Sequence, residues 1–118
     1  MWDVEGTDQF AEWYAQLEDE QQDAVNAAVD LLADRGPALG RPIVGAIVGS
    51  SIKNMKELVP PVPHLRVLFV FDPRRTAILL IGGDKTGRWQ QWYDEFIPLA
   101  EKLYAKYLED LRQEGVLP

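Results

Sequence analysis

Residues 65–89 read LRVLFVFDPRRTAILLIGGDKTGRW, the most apolar part of the chain and also the place where its positive charge collects. Two β-rich runs, Leu65 to Phe71 and Thr76 to Ile81, flank Asp72-Pro73-Arg74-Arg75. Pro73 suits the first central position of a β-turn, so the pair predicts a hairpin. Nearly every position of both runs is apolar. Strands of that kind are central, or covered on both sides. Leu65, Val67, Phe69 and Phe71 fall on one face, while Leu68 and Val70 share the other with Arg66. A guanidinium on such a strand calls for a partner. Gly82 to Arg88 reads as a polar loop that leads into a helix.

On the N-terminal side, Trp2 to Val4 predicts a short strand. Thr7 or Asp8 can cap a helix carrying Phe10, Trp13, Tyr14 and Leu17 at helical spacing. Asp19 starts a second helix, with Val25, Ala28, Val29 and Leu32 on one face. Gly36-Pro37 ends it. The short connection predicts an αα-hairpin. The Gly/Pro-rich residues 36–50 read as a loop with a short extended piece at Ile43-Val44. Ile52 to Val59 reads as a possible strand before the loop Pro60-Pro61-Val62-Pro63. On the C-terminal side, Trp89, Trp92, Tyr93 and Phe96 share a helix face. Pro98 breaks or restarts that helix, and Leu99, Leu103, Tyr107, Leu108 and Leu111 continue on a final one. The expected class is α+β: a small antiparallel sheet with an N-terminal αα-hairpin and C-terminal helices, in a single domain over residues 1–118.

The net charge is −7, but it is unevenly spread. Residues 1–34 carry ten acidic and no basic side chains, residues 35–92 nine basic and three acidic, and residues 93–118 three basic and six acidic. Either the amphipathic helices simply have acidic solvent faces, or the basic middle binds an anion between acidic flanks. The absence of cysteine excludes a disulfide scaffold, a zinc ribbon and a thiol nucleophile. No apolar run approaches membrane-spanning length, and the start of the chain is acidic where a signal peptide is basic, so a cytoplasmic protein without membrane contact is expected.

GGDKTG has Asp84 where a phosphate loop requires Gly before its Lys, so a nucleotide-triphosphate site is set aside. His64, the single histidine, sits among prolines and offers no hydrolase triad. No metal and no cofactor are expected, since no spaced acidic cluster is present. What remains is Lys53, Lys56, Glu57, Arg66, Lys85 and Arg88. Converging cations suit phosphate and the charge that builds up in phosphodiester cleavage. Tyr93, or Trp89 with Trp92, can stack a base, although Trp92 and Phe96 fit the core better on periodicity.

The segment NMKELVPPVPHLRVLFVFDPRRTAILLIGGDKTGRWQQWYDEFIPLAEKLYAKYL, residues 54–108, resembles the phage-derived HigB-like toxins of the RelE/ParE superfamily. The KEL strand, the L-R-V-L-F-x-F-D-P strand and turn, LLIGGDK, G-x-W and I-P-L-A carry the likeness. The aromatic N-terminal hairpin also fits. The resemblance implies a RelE-like fold and the toxin half of a type II toxin–antitoxin pair. It implies an endoribonuclease that cuts mRNA, commonly on the ribosome. It further implies a helix-turn-helix antitoxin, through which DNA is contacted indirectly. By position it assigns Lys56, Arg66, and Lys85 or Arg88 to the phosphate, with Lys56 or Glu57 as base and Tyr93 or Arg88 at the leaving group. Lys53, Arg74, Arg75 and Trp89 are the expected RNA contacts. Relatives often carry arginine where this chain has Ser51 and Val59. Two other readings are a ParE-like inhibitor of gyrase that cuts nothing, and an inactive homologue acting as an antitoxin-bound co-repressor.

Overall fold

The computed structural model describes residues 1–118. Five strands and three α-helices follow in order: β1 (Val4–Gly6), α1 (Asp8–Ala15), α2 (Asp19–Arg35), β2 (Val44–Ala46), β3 (Lys56–Leu58), β4 (Leu65–Phe71), β5 (Ala77–Asp84) and α3 (Trp89–Gln113). One turn of 3₁₀-helix, Gly36–Ala38, closes α2. The strands form one sheet in the order β1-β5-β4-β3-β2. The α+β architecture is as expected, but the sheet is mixed: β2 to β5 pair antiparallel, and β1 joins β5 in parallel.

The double-sided apolar pattern of β4 and β5 is explained by what covers them. Leu65, Val67, Phe69, Ala77 and Leu79 pack with Phe10, Val25, Ala28 and Leu32 of the α1–α2 hairpin. Leu68, Val70, Ile78, Leu80 and Ile81 pack with Trp92, Ile97, Ala100 and Leu103 of α3. Trp92 is completely buried. An indole so placed removes roughly 150–250 Å² from water, worth on the order of 4 kcal/mol before entropy is counted.

Strand β5 runs further than its sequence suggests. Gly82 and Gly83 are not loop residues; they pair with Val67 and Arg66. Tryptophans close on them from the two faces: a β-carbon on Gly82 would lie 2.2 Å from the Trp13 ring, and one on Gly83 2.6 Å from Trp92 Nε1. The glycines make room for aromatic rings rather than for a turn. A bulge precedes them, because Leu68 opposes Ile81 while Phe69 opposes Leu79. Leu80 is the extra residue, and beyond it the alternation of faces reverses. Thr7 holds this bulge. Its amide donates to the Leu79 carbonyl at 3.0 Å and its hydroxyl to the Leu80 carbonyl at 2.7 Å, while the same hydroxyl accepts from the Phe10 amide and caps α1.

Helix α3 is one continuous element through Pro98 rather than two. Proline removes the bond to the carbonyl of Asp94, and both residues are exposed, so water can satisfy that carbonyl. Contacts at two further points fasten α3. Glu101 Oε2 accepts from Ser50 Oγ, Ser51 N and Ser51 Oγ at 2.7–2.8 Å. The Tyr107 hydroxyl donates to Glu5 on β1. No helix is long and apolar enough to cross a membrane.

Thr7→Val keeps the shape of a buried side chain but orphans the Leu80 carbonyl and uncaps α1. The expected loss is about 2–3 kcal/mol, read as a lower urea midpoint with an unchanged denaturant slope.

Candidate functional site

Strand alternation decides which sequence candidates meet. On β3, Lys56 and Leu58 oppose Phe69 and Val67, on the face covered by α1 and α2. Glu57 opposes Leu68, on the face covered by α3. Arg66 lies on that same face, opposite Gly83. Lys56 therefore points away from Arg66, and the carboxylate beside it takes the central place.

Four side chains converge there. Tyr93, on the first turns of α3, donates its hydroxyl to Glu57 Oε1 at 2.7 Å. Arg66 Nε lies 3.5 Å from the same oxygen, and both partners' side chains are less than one-fifth exposed. Lys85 Nζ reaches the Tyr93 hydroxyl at 3.5 Å and stands over its ring. Arg66 is anchored further by Nη1, which donates to the Leu65 carbonyl at 2.7 Å. An open cleft of about 240 Å³ adjoins the group, lined by Ala46, Ile47, Val48, Glu57, Gln90 and Tyr93. It continues along α3 into a second hollow lined in part by Pro98 and Glu101.

The environment sets the protons. Burial pushes the Tyr93 phenol up to about 12, and the hydrogen bond to Glu57 and its charge add to the shift. Burial pushes Lys85 below its ordinary value, and Arg66 beside it acts in the same direction against Glu57. At neutral pH the site thus holds a protonated phenol and an ammonium that releases its proton more readily than a free lysine.

The remaining candidates lie elsewhere. Arg88, at the N-cap of α3, binds Glu95 at 2.8 Å on the exposed side of the helix, and Glu95 lies about 200° around it from Tyr93. Arg74 and Arg75 occupy the turn at the opposite end of the β4–β5 hairpin from Arg66. There Arg74 is held by Asp72 and Glu5, and Arg75 stands over Trp2. Lys53 is exposed on the loop before β3. Trp89 is exposed beside Lys85, 5.1 Å from ring centre to Nζ. Ser51 serves the Glu101 contact. Two residues near the site escape the sequence reading. Arg41 Nη2 and Glu57 Oε2 lie 4.0 and 3.6 Å from the point where a β-carbon of Gly45 would sit, so both side chains border Gly45. His64 meets Trp89 edge to face, with ring centres 5.9 Å apart. Arg41 lies in a Gly/Pro-rich loop and His64 is 25 residues from Trp89, so only the general pull of cations and aromatics toward basic strands hinted at either.

A sheet covered by a helical hairpin on one face and by one long helix on the other is compatible with a small RelE-like toxin fold. Residues 12–105 match the phage-derived Gp49-like protein family, and the chain belongs to that family. It is 46% identical over 100 residues to a protein of Mycobacterium tuberculosis named as toxin HigB3, covering 85% of this chain and 88% of that one. It is 45% identical over 104 residues to a second protein of that organism, named as toxin HigB2, covering 86% of this chain and 52% of the relative.

An alkaline titration checks the phenol. The difference in tyrosinate absorbance between the wild type and Tyr93→Phe rises near pH 12 rather than 10, and Glu57→Gln moves it downward. Linkage gives the sign: below pH 10 the stabilising effect of the neutral phenol is complete. From about 10 to about 12 the unfolded chain ionises first and stability falls. Tyr93→Phe flattens that part of the pH–stability curve, though Tyr107, also raised to about 12, leaves a residual slope.

Proposed function

We propose that this chain is the toxin of a toxin–antitoxin pair and acts as a metal-independent endoribonuclease on mRNA, with the ribosome as its place of action. The observation that carries the reading is the juxtaposition of one carboxylate, one phenol and two cations at the end of β4, beside an open cleft. Glu57 has the chemistry of the general base. It takes the proton of a substrate 2′-hydroxyl as that oxygen attacks the adjacent phosphorus. Arg66 and Lys85 offset the charge that accumulates on the phosphoryl oxygens. The bond to the 5′-oxygen breaks, and Lys85 or Tyr93 delivers a proton to it. The products are a 2′,3′-cyclic phosphate and a free 5′-hydroxyl. Glu57 replaces Lys56 in the base role because of the face it occupies.

Names of the relatives support a toxin and, with it, a cognate antitoxin; we take that antitoxin to be of the helix-turn-helix kind and to bring the pair to DNA. The ten acidic side chains of residues 1–34 give such a basic, DNA-binding partner a surface of opposite charge. A toxin that inhibits gyrase without cutting RNA is the second reading, in which the basic side chains would be contacts to a protein partner.

Cleavage mapping on translated mRNA tests the assignment. Arg66→Ala and Glu57→Gln are each expected to lower the rate by about 10²-fold or more, while Arg88→Gln cuts like the wild type. Intact RNA together with growth arrest and DNA damage would favour the gyrase reading.

A further inference from the structure

We propose that Trp89, braced by His64, is a stacking platform for a single-stranded nucleobase next to the bond that is cut; this rests on the RNA-cleavage reading above and adds a binding subsite to it. Of the four tryptophans, Trp92 is fully buried and Trp2 and Trp13 are half-buried, whereas Trp89 leaves 62% of its surface open.

The ring is not a loose surface side chain. Trp89 and His64 both have left-handed backbones, with φ of 36° and 68°. That region is unfavourable for bulky L-residues and persists only where the surroundings impose it. Here the Lys85 amide donates to the His64 carbonyl at 2.9 Å, joining the loop before β4 to the segment that starts α3. The imidazole and indole then meet at 88°, the edge-to-face arrangement that aromatic pairs prefer. The strained pair presents an aromatic plane of fixed orientation.

Its position identifies the occupant. The Lys85 ammonium stands 5.1 Å from the centre of the Trp89 ring and 5.3 Å from that of Tyr93. One cation thus touches both the platform and the cluster that would hold the phosphate. A base stacked on Trp89 would carry its backbone past Lys85 toward Arg66. Stacking on aromatics beside phosphate-binding cations is how unpaired bases are held, with little dependence on base identity.

The test uses the full-length chain and a short single-stranded RNA with 2′-O-methyl riboses, which binds without being cut. Trp89→Ala is expected to weaken binding by about 5- to 150-fold, the range for loss of one base–aromatic stack. Trp89→Phe retains most of the affinity, and His64→Ala lies between them. With abasic RNA of the same length, wild type and Trp89→Ala bind equally. If Trp89→Ala binds RNA like the wild type while Arg66→Ala binds poorly, the platform is wrong and the cleavage reading stands. If Trp89→Ala weakens only the complex with the antitoxin, the indole is a protein contact and the proposal falls. If neither variant nor the wild type binds RNA, both readings fail together.

Discussion

Both faces of the β4–β5 hairpin must leave water, and the rest of the molecule is arranged to meet that demand. Two strands with apolar side chains above and below cannot lie at a surface. The α1–α2 hairpin covers one face and α3 the other, so the sheet becomes the middle of three layers. The chain reaches this arrangement with little irregularity, and the irregularity it keeps is useful. The bulge at Leu80 reverses the alternation of β5, which turns Gly82 toward Trp13 and Gly83 toward Trp92. Gly83 in turn lies opposite Arg66, leaving that long side chain free of a bulky cross-strand neighbour.

The electrostatics of the site follow from its location at the edge of this covered hairpin. Arg66 is partly withdrawn from water, and Glu57 supplies the counter-charge. Lys85 is less well matched: burial and Arg66 both act against its charge. A cationic site with a single carboxylate is short of negative charge, which is the condition for attracting a phosphodiester. The acidic N-terminal helices leave the net charge of the whole chain negative without reaching this corner. Net charge is therefore a poor guide to what the corner binds.

Much of the fold was legible because long apolar runs state their burial plainly. Strand β4, the turn at Pro73 and the N-terminal helices lie close to their expected bounds, whereas β5 continues from its expected end at Ile81 to Asp84. Three features were not legible, each for a physical reason. Gly82-Gly83 looks like punctuation, since glycine usually marks a turn; only the distant Trp13 and Trp92 reveal that it makes room for rings. Pro98 looks like a break because its exposure, which lets water replace the lost bond, is a tertiary fact. In the site, the expected Arg66, Lys85 and Tyr93 come together, whereas Lys56, expected ahead of Glu57, lies on the opposite face and Glu57 takes its place. Strand β3 has three residues, too few for a period of two to declare its face, and the register with β4 decides it. Arg74 and Arg75 entered the list by charge alone and are placed at the far end by the hairpin itself.

The site is divided between two pieces of the molecule. Glu57, Arg66 and Lys85 belong to the sheet and its trailing loop, whereas Tyr93 and Trp89 belong to the first turns of α3. That helix is fastened near its middle by Glu101 and near its end by Tyr107, but its beginning follows a loop and starts with a strained, exposed residue. Trp92, three residues further on and next to Tyr93, is nonetheless completely buried in the core between α3 and the sheet. The phenol therefore leaves the carboxylate only if that indole is drawn out of the core, and the assembled site is as durable as the packing of α3 on β4 and β5.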